Sequence, residues 1–247
     1  MIPERKHFQA GNSYTSTITE FDFSKVKAAF EYVVDDVVDT EDQYSGFKCT
    51  LGDVPCHVYR PNSTIYRVTF AFGPNDEYKL NYGDWFSLAG IVVYKGSTGF
   101  VFELIPNGID AIPFYIYVDT ISGIIWTYSE VSNSTYKVRG YKFEDNTITY
   151  SEKSVYITAG TMPGDTDKNY TDQAKLKKFE WFDTMYASAP AVYKASILTS
   201  NPNNGEIVQL DSKYYLSLIN TNFVNASSSY HYINRRSYGS VVVPLGE

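Results

Sequence analysis

From Ile65 onward, turn residues cut the chain into short apolar segments, and this spacing constrains the fold more than any other feature. The interval is roughly 8 to 12 residues, the mark of a meander, sandwich or barrel. Ile65 to Phe72 closes at Gly73-Pro74-Asn75-Asp76. Trp85 to Tyr94 runs into Lys95-Gly96-Ser97, and Phe100 to Ile105 into Pro106-Asn107-Gly108. Ile112 to Val118, Gly123 to Tyr128, Tyr136 to Phe143, Thr147 to Tyr150 and Ser154 to Thr158 continue the series. Glu144-Asp145-Asn146 reads as a hairpin turn between two of them. Upstream, Lys48 to His57 reads as another hairpin. With Gly52-Asp53 as its two-residue turn, Cys49 falls directly opposite Cys56.

Two stretches interrupt this pattern with helical spacing. Val26, Ala29, Phe30, Val33, Val34 and Val37 recur at steps of three and four, which predicts a helix over 24–39 with Ser24 as its cap. Asp35, Asp36, Asp39, Glu41 and Asp42 crowd its C-terminal end, where the helix dipole disfavours negative charge. Solvent, a basic neighbour or a cation would have to stabilise that end. A second helix is predicted over 172–187, capped by Thr171, with Leu176, Phe179, Phe182 and Tyr186 inward. Residues 159–171 before it form a loop rich in Gly, Pro and Asp.

Further strands are expected at Ala191 to Thr199, Gly205 to Leu210, Tyr214 to Ile219, Tyr230 to Ile233 and Ser240 to Val243, with a turn at Asn201-Pro202-Asn203-Asn204-Gly205. No repeat of 20 to 50 residues is visible, which argues against propellers and solenoids. Residues 1–21 read as an extended arm or a first edge strand. The organisation expected is one β-rich domain over 1–247, with a sub-boundary suggested at 159–190.

Composition agrees with sheet. Tyr 23 and Phe 15 bring aromatics to 17%, and such residues fit a pleated, half-buried surface. Hydrophobic residues reach 43%, enough for a packed core across 247 residues. The fold class expected is mainly β: antiparallel sandwich or barrel-like sheets, two short amphipathic helices at 24–39 and 172–187, and extended terminal arms.

A net charge of −7 argues against nucleic acid, which is bound chiefly through clustered Lys and Arg. The tight basic cluster Lys175, Lys177 and Lys178 is followed at once by Glu180 and Asp183, so a solvated helix face explains it better. No apolar run of 18 residues predicts a membrane span. Met1 to Ala10 carries Pro3, Glu4, Arg5, Lys6 and His7 with no apolar run behind them, unlike a secretory leader. The expectation is a protein made in the host cytoplasm that stays there or leaves inside an assembled particle. In such a chain Cys49 and Cys56 are expected as free thiols, although their opposition is near enough for a bridge. A zinc site of Cys49, Cys56 and His57 would lack a fourth ligand and the short C-x2-C spacing.

Signatures of catalysis are missing: no G-x-S-x-G elbow, no H-E-x-x-H, no phosphate loop and no G-x-G-x-x-G. His7, His57 and His231 are the histidines, and nothing in the sequence joins one to a nucleophile. Asp165-Thr166-Asp167-Lys168-Asn169 places oxygens at alternate positions like the start of a calcium loop. Tyr170 then stands where Gly is needed and Leu176 where the bidentate Glu belongs. Turn and helix-start roles therefore explain Asp165, Asp167 and Asn169 better.

With 28 acidic residues, pairs of carboxylates carry no glycosidase signal. Trp85, Trp126 and Trp181 could offer sugars a stacking platform, but core packing explains them at least as well. The sequons at Asn62, Asn133, Asn169 and Asn225 fit chance in a chain rich in Asn, Ser and Thr. No catalytic residue, metal ligand or cofactor is expected.

Many short strands, abundant tyrosine, modest charge and no catalytic motif suit a subunit whose work is contact. The N-terminal arm and the tail from Asn234 to Pro244 could add strands to neighbouring copies. The function expected is a non-enzymatic structural subunit of a viral or bacteriophage particle, in a neck, collar, head–tail connector or tail. Its partners would be copies of itself and other structural subunits, and its location the virion. The alternative is a carbohydrate- or receptor-binding β module, with a glycan as partner.

Overall fold

The computed structural model describes residues 1–11, 21–41, 45–61, 67–82, 88–106, 114–132, 135–156, 175–178, 193–196, 207–210, 212–220 and 240–247. These residues are mainly β, arranged in three antiparallel sheets with one α-helix. The largest sheet is a meander of six hairpin-linked strands: β7 (Leu88–Lys95), β8 (Gly99–Pro106), β9 (Phe114–Asp119), β10 (Ile125–Ser132), β11 (Thr135–Glu144) and β12 (Thr147–Tyr156). A seventh strand, β1 (Glu4–Gln9), joins at β7, pairing Glu4 with Lys95 and Gln9 with Gly90.

A five-stranded meander lies over one face: β2 (Val38–Thr40), β3 (Gly46–Leu51), β4 (Val54–Tyr59), β5 (Val68–Phe72) and β6 (Tyr78–Tyr82). The third sheet has the order β13 (Lys175–Lys178), β14 (Tyr193–Ser196), β17 (Ser240–Gly246), β16 (Lys213–Asn220) and β15 (Ile207–Leu210).

The alternation of side chains along each strand explains the layering. In β7 to β10, Ile91, Val93, Phe100, Phe102, Leu104, Phe114, Ile116, Val118 and Ile125 point toward the five-stranded sheet. They meet Phe47, Cys49, Leu51, Val54, Cys56, Val58, Val68, Phe70 and Phe72 there. The intervening residues Val92, Tyr94, Val101, Tyr115, Tyr117, Trp126 and Tyr128 form a second core with Leu216, Val243 and Leu245 of the third sheet. The backbone also ties these layers, since Thr98 N donates to Leu245 O at 3.0 Å. Strands β7 to β10 of the seven-stranded sheet are thus buried on both faces, which is why β7 and β9 read as nearly unbroken apolar runs. One face is aliphatic and phenylalanine-rich, the other built from tyrosine and tryptophan.

Helix α1 (Phe23–Glu31) sits against the first core. Its Phe30 is fully buried, stacked on Phe102 at 4.3 Å and edge-on to Phe47 at 5.1 Å. The helix therefore links both sheets through one ring. It is shorter than the predicted 24–39. Asp22, not Ser24, is the cap, and Ser24 N donates to its carboxylate at 2.9 Å. The helix ends at Tyr32 because Val33, Val34, Val37 and Val38 are β-branched and sparing of helix, and Val38–Thr40 pairs with β3. Asp39, expected at a helix end, instead meets Lys27 Nζ at 2.9 Å.

The predicted second helix is not matched. Lys175–Lys178 is a strand paired with Tyr193–Ser196, and the remaining residues of 172–187 lie outside the described residues. Over Lys175–Lys178, pairing across the sheet overrides the helical spacing that includes Leu176. Of the two readings of the N-terminal segment, the edge strand is the one found, since Glu4–Gln9 pairs with β7 at the end of the sheet. Ser240–Gly246, expected in a terminal arm, instead lies between β14 and β16. Residues 12–20, the loop 159–171, the turn Asn201 to Gly205 and the strand Tyr230 to Ile233 lie outside the described residues. The expected Thr147 to Tyr150 and Ser154 to Thr158 merge into the single strand β12 as far as Tyr156.

Both predicted hairpins form; the first has the expected register, and in the second Glu144 is not a turn residue but pairs with Thr147 as the end of β11. Leu51 opposes Val54, Thr50 opposes Pro55 and Cys49 opposes Cys56. Gly52 has φ 61° while Asp53 is not left-handed, the II′ arrangement that wants Gly first. The β11–β12 turn carries φ 52° at Asp145 and 57° at Asn146, the I′ arrangement. Among the described residues no helix is long and apolar enough to cross a membrane.

Candidate functional site

Four clusters bring polar chemistry together, and each is set by strand register. In the first, β4 presents His57 on the face opposite the core that holds its neighbour Cys56. Its Nδ1 lies 3.0 Å from Asp76 Oδ2, and its ring packs on Tyr59 at 4.6 Å. Asp76 occupies the β5–β6 turn at φ 56°. A carboxylate on Nδ1 is how hydrolases orient a histidine base. At 5% exposure, however, this imidazole is enclosed, and its visible work is to tie β4 to the turn. The zinc reading of Cys49, Cys56 and His57 fails here, since adjacent strand residues point to opposite faces.

The second cluster spans β1, β7 and β8. Arg5 Nε donates to Tyr94 Oη at 3.4 Å, and Tyr94 Oη donates to Glu103 Oε2 at 2.8 Å. Burial pushes the Glu103 carboxyl above its ordinary value, against the opposing pull of the Tyr94 bond and Arg5. Burial likewise raises the Tyr94 phenol. Near the same edge Lys6 and Lys95 both lie over the Tyr32 ring, at 4.8 and 5.3 Å.

A cavity of about 460 Å³ forms the third, lined by Ser97, Thr98, Tyr117, Asp119, Lys213 and Glu247 among others. Its charges are already committed to structure. Asp119 Oδ1 accepts from Ile121 N at 2.9 Å and Ser122 N at 3.2 Å, and Lys213 Nζ meets Glu247 at 3.3 Å.

The fourth lies where β6 and β12, the last strands of their sheets, come together. Tyr78 stacks on Tyr150 at 4.9 Å, with Tyr141 5.7 Å from Tyr78 and 5.4 Å from Tyr150. Arg139 Nε donates to Glu152 Oε2 at 2.8 Å and Tyr150 Oη at 3.1 Å, and its Nη1 reaches Ser129 Oγ at 3.3 Å. Behind this cluster β12 runs ten residues against β11 from Glu144↔Thr147 to Thr135↔Tyr156 without a register shift. In a two-residue hairpin the pair beside the turn is hydrogen-bonded. The backbone groups of Thr147, Thr149 and Ser151 therefore face β11, and those of Ile148, Tyr150 and Ser154 face away from it. No described strand pairs with that outer side.

The other residues singled out in the sequence scatter. His7 lies on β1, where burial lowers its pKa. Trp126 is fully buried in the second core and offers no platform. Trp85, Trp181, His231, Asp165, Asp167 and Asn169, with all four sequon asparagines, lie outside the described residues. Among the described residues no three His, Cys, Asp or Glu side chains group as a metal site would require.

Sequence reading missed Asp76, Arg5, Glu103, Arg139 and Glu152. One signal was available for the last two: the Asp145-Asn146 turn sets Arg139 opposite Glu152. No protein-family model, curated protein or solved structure matches this chain.

Proposed function

We propose that the chain is a non-enzymatic structural subunit that works through contacts with other subunits, in a viral or bacteriophage particle such as a neck, collar or tail. The observation that supports contact as the mode of action is β12. It is long, unbroken by proline or bulge, and meets no described strand on its outer side. Edges of this kind accept strands from other chains and are normally blunted in proteins that work alone. The particle context draws on composition: tyrosine-rich strands, modest charge and no catalytic signature.

Light scattering on the purified full chain, followed by particle imaging, tests the reading. It predicts a closed symmetric assembly at micromolar concentration. A monomer throughout that range overturns it.

The second reading, a carbohydrate- or receptor-binding module, draws on the half-buried Tyr78–Tyr150 stack beside Arg139 and Glu152. Aromatic faces bordered by fixed polar groups suit a small polar ligand. Specific binding on a glycan array, lost in Tyr78→Ala, would favour it.

A further inference from the structure

We infer that Cys49 and Cys56 are a latent modification site: in the presence of a small-molecule disulfide, the two thiols close into a cross-strand bridge.

Both are free thiols, buried together on the inward face of the β3–β4 hairpin. Register places them directly opposite, two pairs from the Gly52-Asp53 turn. Counting from that turn makes theirs a hydrogen-bonded pair. Pro55 and Gly73 agree: Gly73 N donates to Pro55 O at 2.8 Å, so residue 55 faces β5 and residue 56 faces β3. Such pairs hold their Cα atoms about 5.5 Å apart, inside the range of roughly 4.4 to 6.8 Å that disulfides span.

The side chains also point at each other, with the Cys56 thiol in hydrogen-bonding contact with Cys49. Burial holds the Cys56 thiol in its protonated, slow-reacting form. The hairpin therefore stays reduced until it opens to the oxidant.

Glutathione disulfide is a suitable oxidant. One protein thiol loses its proton and attacks a glutathione sulfur, releasing the first glutathione thiolate. The second protein sulfur then displaces the other glutathione from the mixed disulfide. The oxidant's S–S bond breaks and one forms between Cys49 and Cys56. Two electrons pass to glutathione, and the two thiol protons end on its two thiols.

The test uses the full chain in two arms, one native and one refolded from urea, each with glutathione disulfide present. Each is quenched with a thiol-blocking reagent in denaturant and read by intact mass and peptide mapping. The expected product is lighter by two hydrogens and yields a Cys49–Cys56 linked peptide. That product in either arm supports the site. If both arms instead give blocked thiols, glutathione adducts or cross-linked dimers, the inference is overturned. Cys56→Ser, which must give no linked peptide, guards against misassignment.

Discussion

Asp22 and Glu103 are both carboxylic acids, and the fold sets them against opposite backgrounds. Asp22 is exposed, and hydrogen bonds from the Ser24 hydroxyl and backbone hold its pKa below the ordinary value. Asp22→Ala removes the cap of α1 and is expected to cost about 1 kcal/mol, read from the urea midpoint. Glu103 is the reverse case, since burial raises its pKa. Below the unfolded-state value both states hold the proton. As pH rises, the unfolded chain releases it first, so stability falls until the folded-state value is passed. Glu103→Gln, which can still accept from Tyr94, is expected to raise Tm at neutral pH and lose that advantage below about pH 4. An equal shift at every pH would contradict the burial argument. Neither residue stood out in the sequence. Glu103 meets Tyr94 only because the β7–β8 hairpin folds them diagonally onto one face.

At the scale of elements, α1 is the test of how the first core is assembled. Phe30 bridges Phe102 of the large sheet and Phe47 of the small one. Phe30→Ala is expected to cost about 3 to 5 kcal/mol in denaturant unfolding, far more than a surface helix would lose.

Elements held by local chemistry were legible. Gly52-Asp53 set the register of its hairpin, Glu144-Asp145-Asn146 marked the site of the second turn, and alternation marked β5. Elements whose state depends on distant partners were not. Val33, Val34 and Val37 mimic a helical stripe, yet the following Val38–Thr40 is drawn into the sheet by β3. Lys175–Lys178 is likewise fixed by Tyr193–Ser196. The pairing of β1 with β7 and the insertion of β17 between β14 and β16 join segments far apart in sequence, where no local signal exists. The candidate site shares this limit: His57 and Asp76 are joined by β4–β5 pairing, while Arg139 and Glu152 follow from one turn.

For the whole molecule, coverage of β7 to β10 on both faces gives part of the tyrosine content a place in the core. Tyr94, Tyr115, Tyr117 and Tyr128 are fully buried with Trp126. These aromatics build a second core rather than an exposed platform, and the contact surface we propose is the outer edge of β12. The most direct test compares the wild-type chain with Ser154→Pro. Its backbone N–H faces away from β11, so proline there removes an outward donor without taking a bond from the sheet. Solution mass by light scattering is measured on both, with circular dichroism confirming that each is folded. The account predicts an assembly for the wild-type chain and a folded, smaller species for Ser154→Pro. A folded variant that assembles like the wild type would contradict it.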